Sequence, residues 1–130
     1  LKFDDKVPIY YQIKNYLYHQ IITGELQPGE KLPSVRQLAI DVTANVNTVQ
    51  RALSEMITEE VIVPQRGKGN FVTTDVKEIE QLKSKLVNEQ ISLAYQQLHA
   101  LDLSDDEILT EFKQFMEDGD VQNERTIEDR

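Results

Sequence analysis

Residues 34–72 read SVRQLAIDVTANVNTVQRALSEMITEEVIVPQRGKGNFV, and the spacing of their apolar positions decides the fold. Ser34 to Val42 and Asn47 to Glu60 are two short amphipathic segments joined by a polar break. Val35, Leu38, Ala39 and Val42 share one helical face of the first. Val49, Ala52, Leu53 and Met56 do the same in the second. Ser34 can cap the first helix while Gln37 reaches back to complete a capping box. Asn45 or Asn47 can cap the second. Beyond Glu60 the periodicity changes. Val61-Ile62-Val63 and Asn70-Phe71-Val72-Thr73 read as strands, with Arg66-Gly67-Lys68-Gly69 as a basic glycine turn between them. Two helices followed by a basic hairpin predict a winged helix-turn-helix.

Removing the apolar stripe from the second helix leaves Asn47, Thr48, Gln50, Arg51 and Ser54 facing outward. Short polar side chains with one arginine suit base edges and phosphates. A helix pair can present one helix to a major groove, and a basic hairpin beside it can straddle the backbone.

Upstream, Pro8 is placed to open a helix, where its missing N–H is one that the first turn leaves unpaired anyway. Ile9, Ile13, Leu17 and Ile21 give that helix one apolar face, and Gly24 stops it. Gln27-Pro28-Gly29-Glu30 fits a type II turn. Downstream, Val76 to Leu101 has no glycine or proline and predicts one long helix carrying Ile79, Leu82, Leu86, Ile91, Ala94, Leu98 and Leu101. A capping box from Ser104 to Glu107, with Leu103 and Ile108 as a hydrophobic staple, starts a further helix. That helix is expected to bury Ile108, Leu109, Phe112, Phe115 and Met116 and to end near Gly119. Two such stripes cannot both be buried within the pair; they need the first lobe or another copy of themselves. Ile79, Leu82, Leu86, Ile91, Leu98, Ile108, Phe112 and Phe115 are the candidate dimerisation residues.

The fold class expected is mainly α with a small β-hairpin wing. Its domains are a winged helix-turn-helix over residues 1–75, a two-helix dimerisation lobe over 76–119 and a flexible acidic tail over 120–130. The net charge of −9 speaks against nucleic acid only until it is divided. Residues 1–75 hold 8 Lys/Arg against 9 Asp/Glu, and residues 76–130 hold 6 against 14, so the acidity belongs to the second part. The absence of cysteine removes disulfide scaffolds, thiol catalysis and thiolate zinc sites. His19 and His99 have no neighbours at metal-ligand spacing, so neither a metal nor a cofactor is expected. No nucleophile–base pair points to an enzyme. No apolar run reaches the roughly 20 residues of a membrane span, and the first residues lack a signal-peptide layout, so a cytoplasmic protein is expected.

The sequence also resembles a known family. Pro8-Ile9-Tyr10, Gly24-Glu25-Leu26, Pro28-Gly29, Leu32-Pro33-Ser34, Arg36 and Leu38-Ala39 are similar to the GntR family of bacterial transcription regulators. So are Asn47-Thr48-Val49, Arg51-Ala52-Leu53 and Gly67-Lys68-Gly69-Asn70-Phe71-Val72, in the same order and spacing. The short two-helix C-terminal part resembles the YtrA subfamily. The resemblance implies a homodimeric repressor on a two-fold symmetric double-stranded DNA operator, with control of a transporter operon. It implies that Arg36 meets the DNA backbone or a guanine, and that Asn45, Asn47, Thr48, Gln50 and Arg51 lie at the major groove. Arg66, Lys68 and Gly69 then form a wing tip in the minor groove, with Lys31 near phosphate. Ser34 is a candidate contact besides being a cap. Thr43 and Glu60 stand where the family usually has glycine, at a cost on the order of 1 kcal/mol each if held at positive φ. Val46 stands where the subfamily often has proline.

Two alternatives stay open on the sequence. One is a winged helix used for protein contact. The other is a regulator gated by a small effector between the lobes, where Tyr10, Tyr11, Tyr16, Tyr18 and Tyr95 can line a cleft.

Overall fold

A computed structural model of the chain describes the backbone of residues 1–128 and the side chains of residues 1–119. Its elements follow in the order α1 (Ile9–Thr23), α2 (Val35–Val42), α3 (Val46–Thr58), β1 (Ile62–Gln65), β2 (Gly69–Val72), α4 (Val76–His99) and α5 (Asp105–Glu128). Helices α1, α2 and α3 enclose the first core, and β1 and β2 form the antiparallel wing. The stripe expected on α3 is fully buried, and Leu53 and Met56 sit at its centre. Truncating Leu53 to alanine at such a site costs about 2–5 kcal/mol. On α2, Leu38, Ala39 and Val42 are buried and Val35 is half-buried.

The local stop and start signals act largely as the sequence predicts. Gly24 ends α1 in the left-handed conformation. Gly29 lies at φ 80 in the turn closed by the Glu30 N–H donating to the Gln27 carbonyl at 3.0 Å. Ser34 caps α2 by accepting from the Gln37 N–H at 3.1 Å. The reciprocal half of that capping box does not form, because the Gln37 side chain donates to Asp41 at 2.8 Å instead. Both halves form at α5: Glu107 accepts from the Ser104 N–H at 3.1 Å and Ser104 accepts from the Glu107 N–H at 3.2 Å. The backbone hydrogen bond from Ser104 holds the Glu107 carboxyl below its ordinary pKa.

The hairpin pairs Ile62 with Val72 and Gln65 with Gly69. It gains a third edge from the α1–α2 connector. The Gly29 N–H donates to the Val72 carbonyl, the Val72 N–H to Glu30 and the Leu32 N–H to Asn70, and Lys31 bridges Phe71.

Two expectations are corrected. On α1, Ile9 is 44% exposed, and Lys14 and Tyr18 join Ile13, Leu17 and Ile21 in the buried face. The helix expected to stop near Gly119 continues to Glu128, since an isolated glycine costs a helix only about 1 kcal/mol relative to alanine. The acidic tail expected over 120–130 overlaps this helix through residue 128, and residues 129–130 lie outside the described residues. By contacts the chain divides into compact units of residues 1–85 and 86–130. The start of α4 belongs to the first unit because Leu82 is buried there, lining a small cleft with Glu59 and Val61.

Candidate nucleic-acid interface

The sequence-predicted site residues fall on four neighbouring parts of the first unit: the α1–α2 connector, α2, α3 and the wing. Lys31, Arg36, Arg51, Arg66 and Lys68 are all exposed. At the start of α3 the Asn45 side chain accepts from the Asn47 N–H at 2.7 Å, so Asn45 is the cap and Asn47 projects from the first turn. The carbonyl oxygen of Asn45 is engaged in this way, which leaves its amide N–H groups for an outside partner. Ser34, likewise a cap through its oxygen, keeps its hydroxyl proton. Asn47, Gln50 and Ser54 are exposed and Thr48 is half-buried; Gln50 donates to Ser54 at 3.5 Å.

The wing tip turns at Gly67, φ 76. Gly69 lies at φ 115, where an L side chain is strained, and a Cβ added there would lie 3.0 Å from Cε of the flexible Lys31 side chain. The Lys31 side chain thus reaches the wing at Gly69, bringing a connector cation to the hairpin. Thr43 and Glu60 adopt φ 56 and φ 65, the left-handed conformation that glycine would accept without strain. Among the described residues Asp102 is the other non-glycine residue at positive φ.

Sequence reasoning missed a charged cluster between α1 and α3. Lys14, only 6% exposed, donates to Glu55 at 3.1 Å and to Glu59 at 3.2 Å. The Tyr18 hydroxyl donates to Glu59. Burial alone would lower the Lys14 pKa, but the hydrogen bonds and negative charges of Glu55 and Glu59 outweigh it and leave it above its ordinary value. Burial, and then the Glu59 carboxylate, raise that of Tyr18. Arg51 joins from the surface: its Nε lies 3.6 Å from Glu55, and its Cζ is 3.8 Å from the centre of the Tyr10 ring. The available signal was a pair of facing i, i+4 couples, Lys14 with Tyr18 and Glu55 with Glu59.

The tyrosines expected to line a cleft are distributed differently. Tyr10 supports Arg51, Tyr18 is buried, and Tyr16 accepts from Gln20 at 3.2 Å. Tyr95 belongs to the second unit, where it donates to Asp105 at 3.0 Å, a bond that raises its pKa, and stacks on His99.

In that second unit Ile108 is buried, whereas Ile91, Leu109, Phe112, Phe115 and Met116 are exposed. A groove of about 500 Å³ is lined by Ile91, Tyr95, Asp105, Ile108, Leu109 and Phe112. Of the candidate dimerisation residues, Leu82 and Ile108 are thus buried within the single chain, each inside its own unit. Ile79, Leu86 and Leu98 are half-buried. No helix among the described residues is long and apolar enough to cross a membrane.

A capped helix pair supported by a third helix, with a basic hairpin wing and a helical extension, defines the winged helix-turn-helix class. The family described as bacterial regulatory proteins, gntR family, matches residues 9–72. The HTH-type transcriptional regulator YhcF of Bacillus subtilis (strain 168) is 37% identical over 118 residues, covering 91% of this chain and 98% of its own. The HTH-type transcriptional repressor YtrA of the same organism is 37% identical over 94 residues, 72% of this chain and 68% of its own. A GntR family transcriptional regulator from Listeria monocytogenes superposes with a TM-score of 0.82 at 36% identity, covering 86% of this chain and 98% of that one. The chain belongs to the GntR family of transcriptional regulators, and its relatives place it in the YtrA-like subfamily.

Proposed function

We propose that this regulator acts as a homodimeric repressor on a two-fold symmetric DNA operator. The observation that carries the reading is that five cations, Lys31, Arg36, Arg51, Arg66 and Lys68, are all exposed on α2, α3, the wing and the connector paired to the wing. They are five of the 8 Lys/Arg in residues 1–75, which hold 9 Asp/Glu, so they bring that part close to charge balance. Lys31, Arg36, Arg66 and Lys68 neutralise phosphates, which fixes register and makes affinity salt-dependent. Asn47, Thr48, Gln50 and Arg51 read the major groove, with Asn45 and Ser34 at its margin, and Gly69 lets the wing tip approach the minor groove. The second unit supplies the pairing surface. Phe115 is 74% exposed, and it lies with Phe112, Leu109 and Ile91 on the unit that carries the apolar groove, a cost that burial against a second copy removes. Pairing places half-sites about one helical turn, roughly 34 Å, or a multiple of it apart. The repressor named among the relatives supports the sign of regulation. The YtrA-like resemblance extends the proposal to a transporter operon.

Fluorescence anisotropy tests it: titration against the region upstream of the chain's own gene and against a scrambled duplex, each at two salt concentrations. Salt-sensitive binding at least a hundredfold tighter to the first duplex, with two chains per site, is the expected result. Equal weak binding to both would refute the specific-operator reading for that region. Light scattering on Phe115→Asp, expected to be monomeric, tests the pairing surface separately.

A further inference from the structure

Arg51 is not held as a freely swinging surface side chain. One face of its guanidinium lies over the Tyr10 ring, with Cζ 3.8 Å from the ring centre. Its Nε turns toward Glu55 Oε2 at 3.6 Å, one helical turn along α3. The other oxygen of that carboxylate, Oε1, accepts from Lys14 Nζ at 3.1 Å. Lys14 is itself anchored, since Glu59 takes a second of its N–H groups at 3.2 Å. A buried ammonium therefore holds a carboxylate by hydrogen bonds, the carboxylate draws the arginine by charge, and an aromatic ring from α1 covers the guanidinium.

The geometry leaves one edge of Arg51 unused. With one face covered and Nε drawn toward Glu55 as an ion pair at 3.6 Å, the Nη1 and Nη2 donors remain for an outside partner. The side chain is 63% exposed, and neither Nη atom has a hydrogen-bond partner among the described residues. An arginine fork meets phosphate or guanine through such an edge. Holding the fork in place before contact removes ordering cost from the binding step.

We propose that Tyr10, with the Lys14–Glu55 pair behind it, is a positioning residue for DNA recognition that pre-sets the Arg51 guanidinium for contact. The proposal rests on the reading of Arg51 as a DNA contact. It has a clear opposite, in which Tyr10 and Glu55 sequester Arg51 and DNA must pull it away. The two differ in sign.

The test is a double-mutant cycle read by anisotropy on the upstream duplex, with thermal melts to establish that each variant is folded. Tyr10→Phe keeps the ring and is expected to bind within about twofold of the parent. Tyr10→Leu removes it and is expected to weaken binding roughly three- to tenfold. Its salt slope should stay unchanged, because no charge is lost. Arg51→Ala is expected to weaken binding, with a slope shallower by about one unit where its contact is a phosphate. In the Arg51→Ala background, Tyr10→Leu is expected to have no further effect. Glu55→Gln gives a second route should Tyr10→Leu fail to fold, and its penalty should likewise vanish once Arg51 is gone.

A Tyr10→Leu penalty that persists without Arg51 would mean the ring acts through the fold, and the proposal fails. Tighter binding by Tyr10→Leu would establish sequestration and also overturn it. Unchanged affinity in Arg51→Ala would remove the reading of Arg51 as a contact, and the positioning role with it.

Discussion

Replacing Thr43 and Glu60 by glycine should stabilise this protein, and the size of the gain follows from two dihedral angles. Thr43 ends α2 at φ 56, ψ 58, and Glu60 leads into the wing at φ 65. An L residue in that region places its Cβ against the following carbonyl, at about 1–2 kcal/mol per position. Thr43 is the worse placed, being β-branched. Both side chains are exposed, and neither makes a hydrogen bond among the described residues, so little contact is lost on truncation. Glycine also gives the unfolded chain more freedom, which takes back about 0.4–1 kcal/mol. The net gain is about 0.5–1 kcal/mol at each site. For a chain of this size the double variant should melt about 3–8 °C higher. Circular dichroism melts at one fixed protein concentration measure this, since pairing would make Tm concentration-dependent. Thr43→Ala and Glu60→Ala are the controls: they shorten the side chain yet keep the Cβ, and so keep most of the strain. Glycine variants no more stable than the alanine variants would refute the strain argument, and any gain at Glu60 would then belong to its charge.

Arg66→Ala should weaken binding to all DNA about equally and lower the salt slope by about one unit, whereas Asn47→Ala should mainly narrow the gap between operator and scrambled duplex; identical behaviour in anisotropy would show the two roles to be misassigned. Lys14→Met should cost about 1–3 kcal/mol in urea unfolding, below the usual penalty for a broken buried pair because Glu55 and Glu59 keep partial access to water. Lys14 and Tyr18 both have raised folded pKa values, so their stabilisation is present below their ordinary values near 10 and lost as pH rises through the folded ones. The alkaline loss should be smaller in Lys14→Met, and an unchanged pH profile would exclude the cluster as its source. Glu107 has a lowered pKa, so its contribution at the start of α5 is present above its ordinary value and lost as pH falls through the folded one. Helicity of Glu107→Gln should accordingly be less sensitive to acid than that of the parent.

Local pattern was enough to read α3, because Val49, Ala52, Leu53 and Met56 repeat at helical spacing and the complement of that stripe is its outer face. The wing was legible for a similar reason: the change of period at Val61 and the glycines at its tip are nearest-neighbour signals. Face assignment was incomplete on α1: Ile13, Leu17 and Ile21 are buried as expected, but Ile9 is exposed and Lys14 and Tyr18 join the face. A lysine goes inside only when a carboxylate meets it, and Glu55 lies 41 residues away in sequence. No window along α1 holds that information. Gln37 shows the same limit at short range: Ser34 and Asp41 both lie within its reach, and spacing alone does not say which wins. Gly119 was over-read as a stop, although it meets no requirement for positive φ. At the second unit the apolar residues of α5 were legible, but spacing could not tell Ile108, which the chain buries itself, from Phe115, which it leaves exposed.

By composition the stretch from Gly24 to Leu32 looks like a surface loop in which insertions would be tolerated. Its backbone pairing with Asn70 and Val72, and the passage of Lys31 over Gly69, make it a ruler instead. One added or deleted residue there would shift Lys31 to the opposite side of the strand and turn its charge away from the wing. Indels that preserve function should therefore collect at other connections and avoid this one, giving the α1–α2 connector a fixed length even where its residues vary.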